Sequence, residues 1–150
     1  MTNNSVSLQR VFTASPEKIY RAFTDANAMT SWLPPYGFLC VVHNMDVKVG
    51  GNFRMSFINF TTGNSHSFGG EYLELKTNEF IKYTDKFDDP NLTDVMLTSV
   101  WLKKVSCGTE IKILQENIPS VIPAEMCYLG WQDSLEKLKK LVEPEIPDGQ

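Results

Sequence analysis

The sequence is short of cysteine, of basic runs and of long apolar segments. Its 150 residues contain three widely spaced cysteines, so neither a disulfide framework nor a CxxC zinc site is expected. No run of Lys or Arg exceeds two residues and the net charge is −4. Because phosphate binding needs a basic surface, we expect no nucleic-acid partner. No apolar segment reaches about 18 residues, so we expect no membrane span.

Signals for a leader, a cofactor or a metal are also missing. The opening MTNNSVSLQR is polar, unlike a signal peptide, so we predict a cytoplasmic protein with free thiols. The Gly-Gly pairs at 50–51 and 69–70 belong to no phosphate-binding motif, and we predict no cofactor. His43 and His66 lie on different predicted strands without a second ligand at metal-binding spacing, so no metal site is predicted.

The residues that are present describe an ordinary globular protein rich in aromatic side chains. Hydrophobic residues make up 42% and charged residues 21% of the chain, which predicts one domain over residues 1–150 with an ordered core at about 6–142. The sequence has nine Phe, five Tyr and three Trp. Aromatic residues beyond what a core needs are available to line a cavity.

Periodicity predicts an α+β fold. A strand at about 6–13 precedes a helix that Ser15 caps and Pro16 begins, and a second short helix covers about Asn27–Trp32. Period-two segments from Phe38 to Gln115 predict a meander of antiparallel strands. A long amphipathic helix follows at about 123–142 and must bury its apolar stripe. We therefore predict a curved antiparallel sheet of about six to seven strands around the C-terminal helix.

The last helix carries a glycine in its interior. Its apolar stripe is predicted at positions 124, 128, 131, 135, 138 and 142, with Gly130 directly before Trp131. A glycine there costs about 1 kcal/mol relative to alanine. We expect a strand or loop that approaches Gly130 closely, in which case Gly130→Ala destabilises the protein.

Several short motifs in a fixed order resemble a known family. They are SPEKIYRAFTD at 15–25, WxPP at 32–35, DxKxGGxFR at 46–54, GxYxE at 70–74, GT at 108–109 and GWxxSLxKL at 130–138. The sequence resembles the START-like SRPBCC superfamily, and within it stand-alone homologues of the C-terminal domain of the heat-shock-protein-90 ATPase activator.

The resemblance implies a helix-grip fold with a cavity between sheet and helix. Relatives bind lipids, sterols, plant hormones or polyketides, and a minority are cyclases or aromatases. The eukaryotic co-chaperone uses a separate N-terminal domain as well, for which this chain has no counterpart. Chaperone binding is therefore only an alternative here.

The predicted pocket combines residues of the helix, the sheet and the mouth. They are Trp32 and Phe38 at the mouth, Phe53, Met55, Phe57, Tyr83, Asp85, Ile113 and Gln115 on the sheet, and Tyr128, Trp131 and Leu135 on the helix. Tyr83, Tyr128, Asp85 and Gln115 are the polar groups available to orient a ligand. A one-residue shift of strand parity would exchange the inward and outward sets.

Three functions are compatible with this pattern. The leading hypothesis is binding of a small, mostly hydrophobic molecule. The second is a cyclase- or hydrolase-type enzyme in which Asp85 or Tyr83 assists proton transfer. The third is a module that binds a chaperone or a second copy of itself as a homodimer, for which an exposed apolar patch is expected.

Overall fold

The computed structural model describes residues 4–149 and shows a seven-stranded antiparallel sheet with three α-helices in that range. The strands are β1 (Val6–Phe12), β2 (Phe38–Met45), β3 (Asn52–Asn59), β4 (Ser65–Lys76), β5 (Phe80–Phe87), β6 (Met96–Val105) and β7 (Gly108–Glu116). Strands β2 to β7 follow one another as a meander, and β1 pairs with β7, which gives the order β1-β7-β6-β5-β4-β3-β2. The predicted α+β architecture with a curled sheet is confirmed.

The inner face of the sheet is the face predicted from the alternation of apolar residues. In β3, Phe53 and Met55 are buried while Arg54 between them is exposed. In β7, Ile113 and Gln115 are both buried. The hydrophobic effect orients each strand, because a one-residue shift would expose the whole apolar set.

Two short helices close one end of the sheet. Helix α1 (Pro16–Thr24) begins where the Ser15 hydroxyl accepts a hydrogen bond from the Lys18 amide at 3.2 Å. Helix α2 (Ala26–Trp32) begins at Asp25, whose carboxylate accepts from the Ala28 amide at 3.1 Å. Both caps satisfy backbone donors that have no partner inside a helix.

The C-terminal helix α3 (Ala124–Val142) buries one face. The buried side chains of this face are Trp131, Ser134, Leu135, Leu138 and Val142. Its close backbone contacts are with β1, α1 and α2. The inner face of β3, β4 and β5 is therefore left at a distance from α3, and a cavity lies in that space. None of the helices in residues 4–149 has the length and apolar character needed to cross a membrane.

The Gly69–Gly70 pair of β4 is required by close packing of backbones. A Cβ atom built on Gly70 would lie 1.8 Å from the carbonyl oxygen of Thr84 on β5. Pairing of β4 with β5 also shifts register between Tyr72 and Glu74. A glycine is thus needed where the two strands approach.

Candidate functional site

A cavity of about 190 Å³ lies between the sheet, α2 and α3. Strands β3, β4 and β5 supply most of its sheet side, and β6 and β7 supply Met96 and Gln115. Helix α2 supplies Met29, Leu33 follows directly after that helix, and α3 contributes Trp131 among others. The alternation of the strands aims these side chains inward, so the lining follows from the same pattern that builds the core.

Aromatic rings make up much of the sheet side of this cavity. The rings of Phe53, Tyr72 and Tyr83 contact one another, with centroids 5.5 to 6.3 Å apart. The rings of Phe57 and Phe68 meet edge to face at 4.8 Å. Edge-to-face contacts are favourable for rings because the positive edge of one faces the negative face of the other. This part of the wall is therefore mostly aromatic.

One hydrogen bond connects α3 to the sheet across the cavity. The Trp131 indole Nε1 donates to Gln115 Oε1 at 3.1 Å, and both side chains are buried. The Gln115 amide nitrogen lies 3.9 Å from the Met96 sulfur. The carbonyl oxygen of Gln115 is thus already engaged by the protein.

Asp85 is the carboxyl side chain that lines this cavity. Asp85 Oδ1 is one of two buried side-chain polar atoms in the described residues without a hydrogen-bond partner, the other being Thr98 Oγ1. The Thr98 hydroxyl lies close enough to the Tyr83 hydroxyl to oppose the rise in the pKa of Tyr83. Asp85 Oδ1 therefore remains the acceptor that the protein leaves open.

Burial sets the protonation of Asp85 and Tyr83, the two residues of β5 that bring polar groups to the cavity. It raises the pKa of Asp85 to about 7, against a smaller opposing effect of the Lys86 backbone amide. Burial, and then the neighbouring Asp85 carboxyl, raise the pKa of Tyr83 well above its usual range. Removal of a charged group from water disfavours its charged form, so Tyr83 stays a neutral hydroxyl.

The structure brings most of the predicted site residues together. Those that line the cavity are Phe53, Met55, Phe57, Tyr83, Asp85, Gln115 and Trp131. The others, Trp32, Phe38, Ile113, Tyr128 and Leu135, lie outside its lining.

Each of these exceptions has a packing reason. Trp32 is fully buried between α1 and α2, where its Nε1 donates to the Ala22 carbonyl oxygen at 2.9 Å. Ile113 on β7 and Leu135 on α3 are buried in the core. Phe38 lies against the Phe57 ring, with centroids 6.4 Å apart.

Tyr128 corrects the predicted stripe of α3. Its side chain is 37% exposed, whereas Cys127 lines the cavity. Position 127 is four residues before Trp131 and position 128 is three residues before it, so both lie near the face of α3 that carries Trp131. Packing of α3 against α2 and β1 turns the helix so that Cys127 faces the cavity. Burial raises the pKa of the Cys127 thiol, which keeps it protonated and a weak nucleophile.

The environment of Gly130 also differs from the prediction. A Cβ atom there would meet only Pro35 Cγ, at 3.8 Å, which is an ordinary van der Waals distance. The expected close approach of a strand or loop is therefore wrong. Gly130 instead lines the cavity beside Trp131, where the absence of a side chain leaves the cavity larger.

Sequence reasoning missed the contributions of β4, β6 and α2 to the cavity. The residues concerned include Phe68, Tyr72, Met96, Met29 and Leu33. For β4 the signal was present, because Phe68, Gly70 and Tyr72 alternate in phase, but the glycine interrupts the apolar pattern. For α2 no periodic signal exists in so short a helix.

The fold and the cavity together define the class of protein: a helix-grip domain with an internal apolar cavity. The chain belongs to the family described as Activator of Hsp90 ATPase homolog 1-like protein, whose model matches residues 13–143. No curated protein matches the chain at a significant level.

Solved structures of bacterial proteins share this fold. A protein of Chromobacterium violaceum is 51% identical, with a TM-score of 0.93 over 95% of this chain and 99% of that one. A protein of Rhodobacter sphaeroides is 17% identical, with a TM-score of 0.82 over 92% of this chain and 91% of its own. A Staphylococcus epidermidis protein is 18% identical, with a TM-score of 0.79 over 100% of this chain and 97% of its own. The last two similarities concern the fold alone.

Proposed function

We propose that this protein binds a small, mostly apolar molecule in the cavity between the sheet and α3. The observation that carries the proposal is the cavity itself, about 190 Å³ in volume and walled by aromatic rings with one open carboxyl oxygen. Binding sites for small molecules are commonly apolar with a few polar groups that fix orientation. The family's fold also commonly holds hydrophobic ligands.

The apolar lining of the cavity supports this proposal. The side chains that line the cavity are mostly apolar, and several of them are aromatic. A bound molecule would remove this apolar surface from water, which stabilises by about 25 cal/mol per Å².

Native mass spectrometry of the protein purified from its own cells tests the proposal. We expect a fraction of the protein to carry an added mass that organic extraction releases. The variant Gly130→Leu, which adds a side chain to the cavity wall, should lose this mass. The matched control Glu136→Leu places the same side chain on an exposed position of α3 and should keep it. Absence of any added mass from the wild-type protein would contradict the proposal.

A second candidate is an enzyme that uses the same cavity for acid–base chemistry. The observation that favours it is Asp85, whose pKa near 7 suits a general base at neutral pH. Tyr83 on the same strand face would donate a hydrogen bond to the substrate. The test is to incubate the co-purifying molecule with the protein and follow its mass. Conversion by the wild type that Asp85→Asn abolishes would support catalysis, and recovery of the molecule with unchanged mass and unchanged chromatographic retention would exclude it for that molecule.

A further inference from the structure

The volume of the cavity limits the size of what it holds. A cavity of about 150 Å³ accommodates benzene, and pockets for drug-sized ligands measure about 300–1,000 Å³. At about 190 Å³, this cavity matches one ring with one or two small substituents. A sterol or a long acyl chain would extend out of it into solvent.

The polar groups of the cavity limit the chemistry of its occupant. Gln115 Oε1 already accepts from Trp131, and the Ser134 hydroxyl already donates to the Leu33 and Gly130 carbonyl oxygens. Asp85 Oδ1 is the fully buried acceptor of the described lining that lacks a partner, whereas the Tyr72 hydroxyl and the His66 ring line the cavity at less buried positions. A buried acceptor without a donor is unfavourable, because it has lost its hydrogen bonds to water without replacing them. A ligand that brings a donor to Asp85 removes that cost.

The surroundings of Asp85 are apolar on each side along the sheet. Tyr83 and Phe87 flank it on the inner face of β5, and Met96 lies opposite it on β6. Phe68 is in turn the partner of Phe87 on β4. A ring whose substituent points at Asp85 would therefore lie against aromatic and methionine side chains.

We propose that the ligand is a single-ring-sized apolar molecule with one hydrogen-bond donor, a hydroxyl or amino group, that donates to Asp85. This inference rests on the proposed function, because it names the class of molecule that the cavity selects. The selectivity arises from the difference between a satisfied and an unsatisfied carboxyl oxygen. A molecule of the same shape without the donor leaves Asp85 unpaired.

Three molecules of nearly equal shape test this directly: p-cresol, p-toluidine and p-xylene, which carry hydroxyl, amino and methyl at one position. Isothermal titration calorimetry with the wild-type protein should show p-cresol, p-toluidine or both binding at least tenfold more tightly than p-xylene. Whether p-cresol or p-toluidine binds more tightly tells whether the natural donor is a hydroxyl or an amino group. In Asp85→Leu the preference should disappear. The control Asp94→Leu, which removes an equal charge at an exposed position, should keep it.

The outcomes separate this inference from the proposed function. Equal affinities for all three molecules in the wild type would overturn the inference and leave apolar binding intact, and this comparison needs no variant. Binding of oleic acid or cholesterol with none of the three would overturn the size limit. Failure of all five molecules to bind would count against the proposed function as well.

Discussion

At the scale of single residues, the cavity depends on positions where a side chain is missing or unsatisfied. Gly130 leaves the wall beside Trp131 open, and Asp85 keeps an acceptor without a partner. Both are unfavourable for stability taken alone, since a helix prefers alanine and a buried carboxyl prefers a donor. Such local conflicts are common at functional sites.

Replacement of Gly130 by alanine should stabilise the protein. The added Cβ atom meets only Pro35 Cγ at 3.8 Å, so the helix propensity of alanine should raise the free energy of unfolding by about 0.5–1 kcal/mol. Urea denaturation measures the change. Gly70→Ala is the contrasting variant, because its Cβ would lie 1.8 Å from the Thr84 carbonyl oxygen, and it should destabilise strongly. A loss of stability in Gly130→Ala would restore the idea of a close backbone contact there.

The protonation of Asp85 should make stability depend on pH. Its pKa is about 7 in the folded protein, raised by burial from the ordinary value of 3.8. Between pH 4 and 7 the unfolded chain loses this proton first, so the free energy of unfolding falls as the pH rises. The stabilisation by protonated Asp85 is fully present below about pH 4 and is lost above about pH 7. Its upper limit is about 1.4 kcal/mol for each pH unit between the two pKa values of Asp85.

The comparison with Asp85→Asn isolates this effect. Because asparagine does not titrate, the variant should gain stability relative to the wild type between pH 4 and pH 7.5 in urea denaturation. The variant His66→Gln serves as a control, because it changes the remaining titratable side chain of the cavity besides Tyr72, Tyr83 and Cys127. A constant difference between Asp85→Asn and the wild type would mean that Asp85 titrates like an exposed carboxyl.

At the scale of elements, the ends of helices were well predicted and the faces of helices less so. Ser15 and Pro16 fix the start of α1 through rules that act within one turn. The face of α3 depends instead on how the helix packs against α2 and β1, which spacing alone leaves open between Cys127 and Tyr128. Local rules therefore place an element, and tertiary contacts orient it.

Removal of the Ser15 cap should weaken α1. The Ser15→Ala variant loses the hydrogen bond from the Lys18 amide, with an expected cost of about 1 kcal/mol in the free energy of unfolding. Ser15→Asp retains a side-chain acceptor and should remain within a few tenths of a kcal/mol of the wild type. Thermal denaturation of both variants measures the difference. Equal losses in the two would show that the cap contributes through something other than its acceptor.

At the scale of the whole molecule, the sequence predicted the fold better than the cavity. Alternation in β3, β5 and β7 was enough to place Phe53, Tyr83 and Gln115 on the inner face. The cavity arises because α3 lies over β1 and the short helices and leaves β3 to β5 uncovered. That placement of α3 depends on long-range packing. The same is true of the absence of Trp32 from the cavity lining, because Trp32 fills the space between α1 and α2.

Occupation of the cavity can be followed through methionines that carry ¹³C-labelled methyl groups. Met29, Met55 and Met96 line the cavity, while Met126 is 62% exposed on α3. On titration with p-cresol we expect the methyl signals of the three lining residues to shift together with one dissociation constant, and that of Met126 to stay in place. Shifts confined to Met126, or none at millimolar p-cresol, would contradict a cavity that binds small apolar molecules.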